Sequence, residues 1–227
     1  MYKVSEIFQS IDGEGIRTGQ PVNFVRLAGC NLRCSYCDTA YALFGEEEPC
    51  RYETLSADDI AKRLNPLFKR VTLTGGEPLA ARGASALAER LLKEGYEVNV
   101  ETNGAVDICG FLSGLSGREN LFFTIDYKLP SSGVSDRMIW NNFLKLTPRD
   151  AVKFVVGSDE DFSCMLSAVG KMRRHYEIMP QIFVGTVFGR YDLKMLTERV
   201  LSEPLLCDAK VQIQLHKIIW DPDERGV

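Results

Sequence analysis

The sequence predicts an α/β protein of one domain, spanning residues 1–227 and built as an incomplete (β/α) barrel. Three observations carry that prediction. Short β-rich runs alternate with helix-period stretches along the chain. Runs such as LFFTI and AVKFVV have little polar interruption, as suits parallel strands covered by helices. Only about six β-then-α units are visible, short of a full (β/α)8 barrel. The 227 residues fit one large domain on a prior of roughly 100–200 residues per domain. Hydrophobic content of 45% and charged content of 26% exclude disorder as the main state.

In chain order, FQSIDGEG reads as a glycine-bearing turn between two strands, and the first confident strand is Pro21–Leu27. Ile60, Leu64, Leu67 and Phe68 form a helical stripe opened by Ser56 and Asp59 in capping-box spacing, although Pro66 argues against an unbroken helix. Val71–Thr74 is the next strand. Ala84, Leu87, Ala88, Leu91 and Leu92 make a second stripe, closed by Gly95 in the favoured C′ position. Strands follow at Glu97–Glu101 and Leu121–Asp126, and Asp136–Leu144 reads as a helix or an ordered loop. The remaining elements are strand Ala151–Val156, helix Asp161–Arg174, strand Gln181–Val187, helix Tyr191–Leu201 and strand Lys210–Leu215.

Charge and cysteine content narrow the function classes. A net charge of −4 leaves no basic footprint, so nucleic acid is not an expected partner. No apolar run reaches the ~18 residues of a membrane span, and MYKVSEIFQSIDGEG lacks the form of a signal peptide. A cytoplasmic location without a membrane partner is expected. Seven cysteines, an odd number in a reducing compartment, argue against a disulfide framework.

Three of them, Cys30, Cys34 and Cys37, stand in GCNLRCSYCDTA with C-x3-C-x2-C spacing, directly after the first strand. Thiols this close can meet around one point. Zinc is one reading, but structural zinc takes a fuller Cys/His set, and His175 and His216 are the only histidines. An iron–sulfur cluster with one iron left open is the other reading, since a cluster ligated wholly by protein takes one cysteine more. Cys50, Cys109, Cys164 and Cys207 are dispersed and read as packing residues, with Cys50 alone near enough to approach the loop.

Further motifs end the later strands. Thr74-Gly75-Gly76-Glu77-Pro78 is by itself a glycine strand-to-helix turn, and Glu101-Thr102-Asn103-Gly104 an Asn-Gly turn. Lys128 closes the next strand, and His216 with Lys217 follows the last. In parallel α/β folds the C-terminal strand ends share one face, so these distant motifs converge there. A lone histidine at a strand end is more often structural than catalytic.

The cysteine spacing, Tyr36 before the third cysteine, GGEP and ETNG together resemble the radical S-adenosylmethionine (SAM) superfamily. That resemblance implies a partial barrel of the radical SAM type and a [4Fe–4S] cluster on Cys30, Cys34 and Cys37. It also implies SAM held by Tyr36, Asp38, Gly75, Gly76, Glu77, Thr102 and Lys128, with Glu77 on the SAM amino group. Lys128 would serve the SAM carboxylate, although related enzymes often have Ser-Pro-Lys where this chain has Asp126-Tyr127-Lys128.

FQSIDGEG, FVRLAGC, CDT and the closing QIQLHK narrow the resemblance to the 7-carboxy-7-deazaguanine synthase family, most closely in the first 40 residues, at GGEP and at the end. Such an enzyme converts 6-carboxy-5,6,7,8-tetrahydropterin to 7-carboxy-7-deazaguanine with release of ammonia, on the route to queuosine and other deazapurines. The resemblance implies that Ile11, Asp12, Gly13 and Glu14 line the pterin, Arg26 holds its carboxylate and Thr74 meets its edge. It implies Mg2+ on Thr39, a reducing electron donor such as flavodoxin, and a homodimer. Asp12 departs from the family glutamine, which both donates and accepts hydrogen bonds where an ionised carboxylate only accepts. The alternative is another small radical SAM enzyme, such as a glycyl-radical activase; from a different class, it is a zinc-stabilised binding module.

Overall fold

The chain, seen in a computed structural model that describes residues 1–44 and 50–227, folds around one open sheet of nine strands. The strands are β1 (Tyr2–Ile11), β2 (Pro21–Leu27), β3 (Glu53–Leu55), β4 (Arg70–Gly75), β5 (Glu97–Thr102), β6 (Leu121–Tyr127), β7 (Ala151–Val156), β8 (Gln181–Thr186) and β9 (Lys210–Val211). Their order is β3-β1-β2-β4-β5-β6-β7-β8-β9. β1 pairs antiparallel with both neighbours, and every pairing from β2 to β9 is parallel. The main helices are α1 (Ala57–Arg63), α2 (Ala84–Lys93), α3 (Ile108–Leu112), α4 (Asp159–Arg173), α5 (Leu193–Ser202) and α6 (His216–Ile219).

Strand side chains alternate strictly between two faces. Val25, Leu73, Val100, Phe123, Phe154 and Val184 point to the helix side and join one buried core. There α2 packs on β5, α4 on β7 and α5 on β8. The alternate residues Arg26, Thr74, Glu101, Thr124, Asp126 and Lys153 point to the concave side. The apparently unbroken runs are therefore two-faced, with a polar interior.

The concave side almost closes on itself. The β1–β2 turn meets the segment after β9: Leu215 N–H donates to the Gly13 carbonyl at 3.2 Å, and Gly15 N–H to Gln212 Oε1 at 2.9 Å. β3 and β9 stay apart as the sheet edges, so the barrel is incomplete, as expected.

Several elements differ from the sequence expectation. β1 is a ten-residue strand that the sequence suggested only as something before the glycine turn. The Lys210–Leu215 strand shrinks to Lys210–Val211, because β9 is an edge strand among the described residues and Gln212 turns inward to the β1–β2 turn. The α1 capping box forms as expected, but the helix ends at Arg63, Leu64 turns extended before Asn65-Pro66, and Leu67 lies 82% exposed. α2 stops as expected at Gly95, whose φ of +81° is the left-handed cap geometry. Asp136–Leu144 is a pair of short 3-10 turns, Ser135–Arg137 and Trp140–Leu144.

Candidate active site

The parallel strand ends open into a cavity of about 770 Å³. Its wall holds Cys30, Cys34, Cys37, Tyr36, Asp38 and Thr39 from the loop after β2. Thr74, Gly75 and Gly76 come from β4, Thr102 from β5, Lys128 from β6, and Gly13 with Glu14 from the β1–β2 turn. Arg26 reaches in from β2.

The cysteine loop is clamped from several sides. Gly29 N–H donates to the Ala42 carbonyl, Asn31 Nδ2 to Ala105 O, and Ser35 N–H and Oγ to the carbonyls of Ser132 and Ser131. Asn103 Nδ2 approaches Cys30 Sγ at 3.5 Å. All three cysteines are free of disulfides and partly exposed to the cavity. Burial pushes the Cys34 and Cys37 thiols up, against the pull of Lys128. Among the described residues no three Cys, His, Asp or Glu groups converge on one ion position. The loop supplies three thiols, fewer than a closed structural zinc set, whereas a multi-iron cluster presents a different iron to each thiolate and can leave one iron open. Cys50 is buried away from the cavity, its Sγ against Arg51 O, and does not join the loop.

Gly75 and Gly76 answer to backbone packing. A Cβ on Gly75 would lie 2.2 Å from the Leu27 carbonyl oxygen, and one on Gly76 2.3 Å from that of Gly29. Only glycine lets the end of β4 dock against the root of the cysteine loop, where Glu77 N–H bonds Gly29 O at 2.9 Å.

Glu77 departs from the expected ammonium-binding role. Its carboxylate is 1% exposed and accepts from Leu79 N–H (2.9 Å), Thr102 Oγ1 (2.8 Å) and Asn103 N–H (2.7 Å), so it clasps the β4 turn to the β5 turn. Burial pushes its pKa up to about 7, against these bonds. The unfolded chain ionises near 4.5, so stability falls as pH rises from about 4.5 to 7 and then levels off. In urea titrations, the stability advantage of wild type over Glu77→Gln should shrink by about 2–3 kcal/mol between about pH 5 and pH 7.5. An advantage independent of pH would refute this.

Ile11 and Asp12 are likewise corrected. Neither faces the cavity. Asp12 is 1% exposed and bonded to Arg17 Nε and Thr72 Oγ1, both at 2.8 Å, in an internal ion pair below the site. Ile11 ends β1 in its pairing with Pro21. The turn reaches the cavity only at Gly13 and Glu14.

Arg26 is delivered by an irregularity in β1. The register pairs Val4 with Leu27 but Glu6 with Arg26, a bulge that puts Val4 in the core and Glu6 on the concave side. Glu6 Oε2 then accepts from Arg26 Nε and Tyr41 Oη, both at 3.0 Å. The outer guanidinium nitrogens are left to face the cavity.

Charged groups of the cavity wall complete the interior. Asp126 Oδ2 holds Lys128 Nζ at 2.7 Å, while Asp126 Oδ1 and Glu14 Oε2 lie 3.3 and 3.2 Å from Lys153 Nζ. Burial works against charge in Asp126 and Lys128, yet their attraction wins, lowering the carboxyl pKa and raising that of the ammonium. For Asp38 burial is likewise outweighed, by Lys217 and Lys153, and the carboxyl stays below its usual range. Thr39 Oγ1 donates to Asp38 Oδ1 at 2.9 Å, forming a small oxygen cluster at the mouth. Glu101 is pushed up to about 7 by burial, which Lys153 only partly offsets. His216 packs against Gly13, where a Cβ would come within 2.5 Å of its Nδ1. Glu101, Asp126 and Lys153 are site residues given no role in the sequence reading; the alternation in EVNVE, LFFTID and AVKFVV is the signal that they share one face, while Asn103 stands in the ETNG turn.

The chain is similar to known proteins along its whole length. Residues 24–110 match the family model of the radical SAM superfamily. The chain is 39% identical to a 7-carboxy-7-deazaguanine synthase of Clostridium acetobutylicum, over 100% of this chain and 99% of that one. It is 38% identical to a protein of the same name from Methanospirillum hungatei, over 97% and 86%. Its fold matches the crystal structure of QueE from Escherichia coli with a TM-score of 0.72, at 21% identity, over 94% of this chain and 93% of that one.

Proposed function

The chain belongs to the 7-carboxy-7-deazaguanine synthase family of the radical SAM superfamily, and from that premise we propose the following reaction and residue roles. It is a radical SAM enzyme of deazapurine biosynthesis, using a [4Fe–4S] cluster and SAM. Its substrate is 6-carboxy-5,6,7,8-tetrahydropterin, which loses one nitrogen as ammonia while its ring contracts to 7-carboxy-7-deazaguanine, so that the enzyme acts as a carbon–nitrogen lyase. The observation that carries this reading is the meeting, in one cavity, of the three-thiol loop with an arginine aimed inward by Glu6.

Cys30, Cys34 and Cys37 hold the cluster, and their meeting on one cavity wall supports that fit. Cluster and SAM, when bound, supply the carbon radical that starts the reaction. Lys128, neutralised on one side by Asp126, offers its remaining N–H groups to the SAM carboxylate. Tyr36, Gly75, Gly76 and Thr102 shape the rest of that subsite. Arg26 binds the substrate carboxylate, Thr74 meets the pterin edge, and Gly13 and Glu14 close over it. Glu101, raised to about 7, both gives and takes a proton near neutral pH, and departure of nitrogen as ammonia requires one. Asp38 and Thr39 form a hard-oxygen pair suited to Mg2+, completed by water and substrate oxygens. A reducing partner such as flavodoxin supplies the electron. Exposed Val211, Ile213, Ile218 and Ile219 beside the β9 edge offer apolar surface for a homodimer.

The deciding assay incubates reduced enzyme with SAM and the carboxytetrahydropterin and follows deazaguanine and ammonia. Product should form in equal amounts. Intact cluster and SAM cleavage without product would sink the substrate assignment. Arg26→Ala should raise KM for the pterin by about 10²-fold, the loss of a charge-assisted bidentate contact, while substrate-free SAM cleavage stays unchanged. An unaltered KM would remove Arg26 from the site.

A further inference from the structure

Lys153 belongs to none of the motifs that carry the family resemblance, yet both halves of the cavity meet on it. It projects from the middle of β7 with its side chain 13% exposed. Its ammonium lies 3.2 Å from Glu14 on the β1–β2 turn and 3.3 Å from Asp126 at the end of β6. The second oxygen of Asp126 holds Lys128 at 2.7 Å. A chain of alternating charge therefore runs Glu14–Lys153–Asp126–Lys128. One end is the turn that closes over the pterin; the other is the lysine assigned to SAM.

Resting on the substrate reading above, we infer that Lys153 is a positioning residue that makes SAM and the pterin bind cooperatively, by shifting between Asp126 and Glu14. A carboxylate drawing on Lys128 weakens the Lys128–Asp126 bond, and Asp126 then leans on Lys153. Lys153 moves away from Glu14, whose freed oxygen accepts an N–H of the pterin. Glu14 keeps its place meanwhile, because Gln212 Nε2 donates to its Oε1 at 3.2 Å and Gln214 Nε2 to its Oε2 at 3.4 Å. Cooperativity needs a difference between two states of the protein, and here the difference is which carboxylate Lys153 neutralises. Coupling of this kind is reciprocal, so each ligand tightens the other by the same factor.

The test is anaerobic calorimetry on the cluster-loaded chain with SAM and 6-carboxypterin, the oxidised pterin that lacks the reactive C6 hydrogen. Each ligand is titrated with and without the other. In the wild-type chain each should tighten the other by about 5–50-fold, within the usual range of coupling, and Lys153→Met should bring that factor to about 1. Glu14→Gln should lose the cooperativity too, and SAM alone should bind more tightly than to wild type, because Lys153 then rests on Asp126 and leaves Lys128 freer. Lys153→Arg, which keeps the cation, should retain it. If Lys153→Met fails to fold, Glu14→Gln decides. Independent binding in the wild-type chain, or cooperativity that survives Glu14→Gln, overturns the inference and leaves the substrate reading intact. A wild-type chain that binds SAM but no 6-carboxypterin overturns both.

Discussion

A Cys34→Ala chain should purify colourless and anaerobically bind far less than the about four irons per chain expected of wild type. Cys34 is the middle ligand of a loop whose backbone is already fixed by Asn31, Ser35 and Gly29, so alanine removes a ligand without unmaking the loop. Two thiolates cannot replace three, and no described cysteine stands by as a substitute: Cys50 is buried elsewhere, and Cys109, Cys164 and Cys207 do not line the cavity. SAM cleavage should fall to background, while urea stability of the metal-free chains changes by about 1 kcal/mol or less, since the site is partly exposed. Iron analysis and the visible spectrum read the first effect, and chromatography of the nucleoside fragment reads the second. Full iron content in the variant would place the cluster elsewhere.

The second large effect lies below the cavity and concerns stability. Asp12→Ala is expected to destabilise the chain by about 3–5 kcal/mol, the usual consequence of removing one partner from a buried ion pair. Arg17 is only 3% exposed, and its guanidinium reaches the Val71 carbonyl at 3.1 Å as well as Asp12 at 2.8 Å. It spans β4 and the first hairpin and lies 5.2 Å from the Phe122 ring, and Asp12→Ala leaves it only the longer, half-exposed ion pair to Glu97 at 3.4 Å. Burial outweighs Arg17 and raises the Asp12 pKa, which marks the pair as costly to bury even when intact. The double variant Asp12→Ala/Arg17→Met should therefore be more stable than Asp12→Ala alone, because it removes the stranded charge. Urea unfolding of the three chains measures this. A loss below about 1 kcal/mol for Asp12→Ala, the scale of an exposed pair, would show that the floor is wet.

Asp12 also shows where reading by position misleads. In the linear motif it stands beside Gly13 and Glu14 and invites the same role. A turn rotates successive side chains in different directions, and here one faces the cavity while its neighbour faces the floor. Glu77 is the same case: a carboxylate after two glycines suits an ammonium ligand, but in the fold it is buried and clasps the β4 and β5 turns together. Lys153 and Glu101 were hidden for the opposite reason. Lys153 sits inside a run with little polar interruption and Glu101 in a motif read as an Asn-Gly turn, and their proximity depends on the pairing of β5, β6 and β7.

By itself the sequence determined the alternation of strands and helices, the capped ends of α1 and α2, the three-thiol loop and the shared face of the strand-end motifs. All follow from local chemistry: side-chain period, capping, turn residues and cysteine spacing. Tertiary structure alone decided the rest. Which carboxylates face the cavity, how the β1 bulge turns Glu6 toward Arg26, and how Lys153 comes between Glu14 and Asp126 depend on register and curvature. Those arise from contacts up to 200 residues apart, as between Gln214 and Glu14, and no local pattern encodes such a distance.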